Sequence, residues 1–220
     1  MLGGGRVRGF DTVHCGNCGL IYVKNRYNAD GLEQYYKNYL SNVHQENPRE
    51  VLDRTDMYKV EHDHITQYVK GGTVLDVGCS GGYFLDCFNS KAFKCRGVEF
   101  GDEAAEEAGK KYHIYKGEFN VIEIIKKFDL IIFRGVIEHI PYPKSYLKKA
   151  VSLLNNKGLI YITSTPDSNA FCCDLFKENW NQHEPEAHLM HFNKNHFHQY
   201  FSENKLTCID SKNFYRETPY

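Results

Sequence analysis

Asp76, Gly78, Gly82 and Glu99 are the residues of this chain whose types and spacing could do chemistry together. In Val74-Leu-Asp-Val-Gly-Cys-Ser-Gly-Gly82 an apolar run delivers an aspartate into a turn framed by glycines. Glycine suits such a turn because the backbone must bend sharply and let a ligand approach closely. Glu99 closes the next strand-like segment, Cys95-Arg-Gly-Val-Glu99, about twenty residues on, where a carboxylate could accept hydrogen bonds from both hydroxyls of an adenosine ribose. The order Asp-x-Gly-x-Ser-Gly-Gly departs from the G-x-G-x-x-G that cradles a dinucleotide pyrophosphate, so a nicotinamide-dependent oxidoreductase fits poorly.

A second set of polar residues follows the apolar run Phe128-Asp-Leu-Ile-Ile-Phe133. His139 could take a proton from an acceptor hydroxyl or orient the acceptor. Arg134 could bind a carboxylate or phosphate, or form an internal ion pair with Glu138 or Glu118. His183, His188, His191, His196 and His198 crowd one segment, but their spacings match no zinc signature and no metal centre is expected from them.

These residues need elements to position them. Thr73–Val77, Cys95–Glu99, Tyr112–Tyr115, Phe128–Phe133 and Leu159–Thr163 read as strands. Between them lie helices: one carries Phe84, Leu85 and Phe88 inward, one is capped by Asp102, and one carries Tyr146, Leu147, Ala150, Val151 and Leu154. Strands alternating with helices predict a Rossmann-like, doubly wound, mostly parallel α/β sheet. Ahead of it, Asp30-Gly-Leu-Glu33 reads as a capped helix start with Leu32, Tyr35, Tyr36, Tyr39 and Leu40 at helical spacing. A second helix is expected over Arg49–Val69 after a polar turn ending near Pro48. Together they predict an N-terminal helical cap, with its tyrosines packed on the core and one of them able to close over the site. The expected organisation is an N-terminal segment and cap over 1–70 and a catalytic domain over 71–220. That domain carries a lid-like insertion at 164–193, then a helix from Lys194 and a strand Leu206–Asp210.

At this point a resemblance joins the pieces. Val74-Leu-Asp-Val-Gly-Cys-Ser-Gly-Gly-Tyr-Phe-Leu85 resembles motif I of class I S-adenosylmethionine-dependent methyltransferases, and Glu99 falls where that family places its ribose-binding acid. Phe128–Ile140, with its Glu-His pair, and Leu153–Thr163 resemble the elements that follow. The resemblance implies S-adenosyl-L-methionine as cofactor, held by Asp76, Gly78, Cys79, Ser80, Gly82, Glu99, Phe100, Glu118, Phe119 and Arg134. It implies His139 as catalytic base or orienting group, with Trp180 and His188 at the acceptor. Ser80 stands where many relatives have glycine, and Glu118 where many have aspartate. Cys15-x-x-Cys18-Gly-Leu-Ile-Tyr is similar to the front of a bacterial subgroup with a zinc ribbon, often linked to sugar or polysaccharide modification. Only half of that four-ligand site is present, and both ends of the chain look short beside the family.

Composition sets outer bounds. With 41% hydrophobic and 25% charged residues the chain reads as an ordinary globular protein, and no apolar run reaches membrane-span length. Arg6 and Arg8 are not followed by the apolar stretch of a signal peptide. A net charge of −1 argues against a long nucleic-acid partner and towards a small-molecule acceptor. The eight cysteines are scattered through element-like segments, as expected of reduced thiols in a cytoplasmic protein. The favoured function is O-methylation of a small metabolite such as a sugar or sugar nucleotide. An RNA or N-methyltransferase and an inactive binding domain are the alternatives, and composition leaves the oligomeric state open.

Overall fold

The computed structural model describes residues 5–7, 9–36 and 48–213. Tyr39, Leu40 and the polar turn before Pro48 lie outside the described residues. The opening segment, which shows no sequence period, forms three short antiparallel strands, β1 (Gly5–Val7), β2 (Phe10–His14) and β3 (Ile21–Val23). Two helices follow, α1 (Ala29–Tyr36) and α2 (Pro48–Ile65). Asn28 caps α1 in place of the expected Asp30, because its side chain accepts the Gly31 N–H at 2.9 Å.

The domain behind them is the predicted parallel sheet. Its strands are β4 (Gly72–Val77), β5 (Phe93–Glu99), β6 (His113–Lys116), β7 (Phe128–Arg134) and β8 (Leu154–Thr163), in the order β6-β5-β4-β7-β8. Every neighbouring pair is parallel, as crossovers through helices require. The order reverses between β4 and β7, and the crevice beyond the carboxyl ends of strands at such a point is where α/β sheets bind ligands.

Alternation along β7 shows why the sheet is covered on both faces. Leu130 and Ile132 join one apolar cluster, with Val74, Leu85, Phe88, Ala108 and Ile65. Ile131 and Phe133 join the other, with Leu75, Val77, Phe119, Leu147 and Ala150. All four β7 side chains are fully buried, each stabilising the fold by roughly 1.5–3 kcal/mol. Helices α3 (Asp102–Gly109) and α4 (Pro143–Ser152) supply Ala108 and Leu147 to opposite clusters.

Several elements differ from expectation. The turn after β4 leads into a single 3-10 turn, Leu85–Phe88, although Phe84, Leu85 and Phe88 do point inward. Asp102 lies in the first turn of α3 behind the cap residue Gly101, where its charge favours the helix N-terminus. Strand β8 begins at Leu154, with a register irregularity that absorbs the Asn-Lys-Gly turn.

The segment 164–193 is not a free-standing flap. After α5 (Phe171–Phe176) it supplies β9 (Met190–His191), which pairs with β3 and completes a four-stranded antiparallel sheet with the N-terminal segment. Helix α6 (Lys194–Glu203) follows, with Asn193 and His196 forming a reciprocal cap. Residues 206–210 form no strand. That stretch runs irregularly and is fastened by Asp210, which accepts from the Tyr68 hydroxyl at 2.8 Å and lies 3.2 Å from His64 Nε2. No helix among the described residues is long and apolar enough to cross a membrane.

Candidate active site

A cavity of about 990 Å³ opens at the carboxyl ends of β4, β5 and β7, roofed by residues of α1, α2 and the 182–188 loop. Asp76, Gly78, Cys79, Ser80, Glu99, Phe100, Glu118, Phe119, Arg134, His139 and His188 all line it. Gly82 does not. It faces the Tyr112 ring, where a Cβ would sit 3.1 Å from that ring, and its positive φ of 81° serves the turn alone. Trp180 is also absent from the cavity. Its indole is buried with Ile21, Ala170 and Cys173, because pairing of β9 with β3 draws the insertion over the small sheet.

Period two along β4 turns Asp76 to the same face as Val74, beneath α2. The side chain is 2% exposed, and Oδ1 has no hydrogen-bond partner. Burial, aided by the Glu99 and Glu61 charges and opposed by Arg134, raises its pKa to about 8. Gly78 follows at φ 73°, and a Cβ there would meet Val136 Cγ2 at 2.7 Å, so both the turn and the packing of Val136 require glycine.

Glu99 is already engaged. Its Oε2 accepts the Ser80 N–H at 2.7 Å and its Oε1 accepts the Gly101 N–H at 2.8 Å. Burial pushes its pKa up, while the N–H groups of Gly101, Ser80 and Phe100 pull it back. The carboxylate therefore clamps the motif turn and keeps further lone pairs for a ligand. Ser80 occupies the left-handed region at φ 48°, a conformation that costs a non-glycine residue about 1–2 kcal/mol. Ser80→Gly is expected to stabilise the protein by about 0.5 kcal/mol after the extra unfolded-chain entropy of glycine is subtracted, read by urea unfolding. An unchanged or lowered midpoint would show that the turn holds serine without strain.

Arg134 takes neither partner anticipated for it. Its Nε donates to Glu61 Oε2 at 2.8 Å, and the guanidinium lies 4.4 Å from the Tyr58 ring centroid. Ser164 Oγ donates to Glu61 Oε1 at 2.7 Å. Arg134 shares the face of Leu130 and Ile132, and α2 covers that face. The sequence signal for Glu61 was its place in the inward stripe Met57, Glu61, Ile65, where a glutamate is out of character. Glu61→Ala is expected to cost about 3 kcal/mol in urea unfolding, because it leaves a half-buried guanidinium unpaired. A cost below about 1 kcal/mol would mean that Arg134 finds another partner.

The far wall of the cavity is a 3-10 turn, Ile137–His139, facing the 182–188 loop. His139 Nδ1 lies 3.0 Å from the Ala187 carbonyl oxygen and 3.4 Å from the Tyr36 hydroxyl. Donation to the carbonyl fixes the proton on Nδ1 and leaves the Nε2 lone pair free. Burial, with His188 close by, pushes the imidazole down to about 3, so it is neutral. The His188 ring centroid is 4.7 Å away. Glu138, overlooked as a site residue, is 2% exposed, and burial raises it to about 7. Glu118 lies nearby and accepts the Tyr146 hydroxyl at 3.4 Å. Arg26, Tyr27, Tyr35, Tyr36 and Tyr142 frame the mouth, with the Arg26 guanidinium 5.5 Å from the Tyr142 ring centroid.

Residues 42–211, which carry the whole parallel sheet and the strand-end side of this cavity, match the family described as a methyltransferase domain. The chain belongs to that family. Among relatives of this methyltransferase, the ubiquinone biosynthesis O-methyltransferase of Coxiella burnetii is 28% identical over 106 residues, 44% of each chain. That of Hydrogenovibrio crunogenus is 22% identical over 148 residues, 62% of this chain and 61% of its own. The chain thus spans less than two thirds of these relatives. Among solved structures, a SAM-dependent methyltransferase of Thermotoga maritima, described as a possible histamine N-methyltransferase, superposes with a TM-score of 0.60 at 18% identity, covering 78% of this chain and 79% of its own. The plantazolicin methyltransferase BpumL, solved with a pentazolic desmethylPZN analogue and SAH, gives 0.59 at 18% identity over 80% and 74%. At such identities the likeness is one of fold.

Proposed function

We propose that this methyltransferase takes its methyl group from S-adenosylmethionine and delivers it to a hydroxyl oxygen of a small metabolite, a sugar or sugar nucleotide by preference. The residues fit the cofactor. Glu99 offers lone pairs at the end of β5 for ribose hydroxyls, and the partnerless Asp76 Oδ1 suits an ammonium group. SAH bound in the structural neighbour BpumL supports the same donor here. When bound, the sulfonium supplies an activated methyl group, so holding the acceptor in line is the main demand on the protein, an effect of up to roughly 7–11 kcal/mol.

The observation that carries transfer to oxygen is the 3.0 Å contact of His139 Nδ1 with the Ala187 carbonyl oxygen, from which the tautomer follows. With Nδ1–H held by the Ala187 carbonyl, Nε2 presents a lone pair that can orient an acceptor hydroxyl by accepting its hydrogen bond, and take its proton only as the methyl group is transferred and the hydroxyl becomes strongly acidic. His188 stands beside it. The naming of several relatives as O-methyltransferases favours oxygen as well. The tyrosines and Arg26 at the mouth suit an acceptor with a sugar-like or flat body and an anionic group. The test is formation of S-adenosylhomocysteine with a panel of sugar nucleotides, free sugars, phenols and amines. Turnover with hydroxylated acceptors, lost in His139→Ala, supports the reading; turnover with amines alone overturns the oxygen assignment.

A further inference from the structure

Glu138, His139 and His188 place one potential ligand atom each within 4.8 Å of one another, a grouping that the histidine spacing in the sequence did not reveal. One His-carboxylate pair comes from the turn after β7 and the other histidine from the 182–188 loop. Each side chain is held from behind by its other polar atom. The Ala187 carbonyl takes His139 Nδ1 at 3.0 Å, and the Gln182 carbonyl takes His188 Nδ1 at 2.6 Å. Thr165 Oγ1 donates to Glu138 Oε2 at 3.1 Å. What remains are His139 Nε2, His188 Nε2 and Glu138 Oε1, and the first and last of these are 3.9 Å apart.

A backbone carbonyl on the far nitrogen of each imidazole is the outer-shell arrangement that orients metal-ligating histidines. Arg134, the cation nearest Glu138 in sequence, is committed to Glu61, so a buried carboxylate faces two neutral imidazoles. Ligand atoms around a small divalent cation with bonds near 2.1 Å lie roughly 3–3.5 Å apart. The Glu138–His139 pair needs to close by about half an ångström, and a pair at the 4.8 Å limit of the group by about 1.3 Å, both within reach of side-chain rotation. All three residues line the cavity, so the remaining coordination positions of a cation would open onto the acceptor side.

We propose that Glu138, His139 and His188 form a binding site for one divalent transition-metal cation, of the kind that two imidazoles and a carboxylate prefer: Zn²⁺, Mn²⁺, Fe²⁺ or Co²⁺. The proposal rests on the acceptor-side reading above only for the cation's use; the binding itself stands apart from methyl transfer. Bound there, the cation would join the 182–188 loop to the parallel-sheet domain and could hold an acceptor oxygen. His139 would then be a ligand, and its service as proton acceptor would be confined to the metal-free protein.

The test uses the full chain stripped with a chelator, then titrated with Co²⁺ by visible absorption and with Zn²⁺ and Mn²⁺ by calorimetry. One equivalent bound, with imidazole-type Co²⁺ bands, is expected for the wild type. His188→Ala and the near-isosteric Glu138→Gln should each weaken binding by about 10–100-fold. Both variants should bind S-adenosylhomocysteine within about threefold of the wild type, which shows that they fold. Cys15→Ser should leave the Co²⁺ bands intact. Failure of all three cations to bind, or binding unmoved by His188→Ala and Glu138→Gln, overturns the proposal. A chain that binds the cation at these residues but not S-adenosylhomocysteine upholds the metal site and overturns the methyl-donor reading instead.

Discussion

Glu99→Gln should weaken binding of both S-adenosylmethionine and S-adenosylhomocysteine by about 100-fold or more. Hydrogen bonds to an ionised group stabilise by roughly 1.5–3 kcal/mol each, and the proposed ribose contact uses two of them. An amide has only one oxygen, so its NH₂ must turn either towards ligand hydroxyls or towards one of the N–H groups of Ser80 and Gly101 that the carboxylate now satisfies. The same substitution should therefore lower unfolding stability by about 1–3 kcal/mol, the cost of one buried unsatisfied donor. Calorimetry with the adenosyl ligands, alongside urea unfolding of the ligand-free protein, separates the two effects. If the unfolding midpoint falls while affinity holds, Glu99 is a clamp for the turn and not a ligand residue.

The second large effect concerns Asp76. Its carboxyl is raised to about 8 in the folded protein, against 3.8 for the ordinary group. A folded-state pKa above the unfolded one means that the native protein holds a proton which the unfolded chain has released. The stabilisation is complete below about pH 4 and is lost as pH rises to about 8, at roughly 1.4 kcal/mol per pH unit. Asp76→Asn removes that loss. Ligand-free Asp76→Asn should equal the wild type at acid pH and exceed it by several kcal/mol at pH 8.5, while binding S-adenosylmethionine more weakly. Comparing the variant with the wild type cancels the parallel contribution of Glu138, which is also raised. Urea titrations between about pH 3.5 and 8.5 read the difference. Parallel curves would mean that Asp76 is ionised in the resting protein. A group kept destabilising in the absence of ligand is a common mark of a binding site, since a cation arriving beside it recovers the cost.

Asp76 and Glu99 are both legible in the sequence alone. Asp76 sits in the apolar run Val74–Val77 and Glu99 closes the strand-like segment Cys95–Glu99, while a strand covered on both faces, such as Phe128–Phe133, writes itself as an apolar run, so the sheet, its crevice and the acids near the strand ends follow from local pattern. The turn between them was legible for the same reason. Gly78 and Gly82 mark positions of positive φ, and Ser80, though not glycine, shares that conformation.

Other features were not local. The opening strands are three to five residues long, and their partner β9 lies far along the chain, so no window of sequence contains the sheet. That pairing draws Trp180 away from the cavity and brings His188 against His139. Arg134 behaves likewise. Period two fixed which face of β7 it occupies, but only the docking of α2 onto that face put Glu61 there to receive it. The sequence by itself determined the parallel sheet, its ligand crevice and the acids at the strand ends, because strand periodicity and turn chemistry act between neighbours. The tertiary structure alone decided which side chains face one another across the cavity, because those contacts join segments whose separation no periodicity encodes.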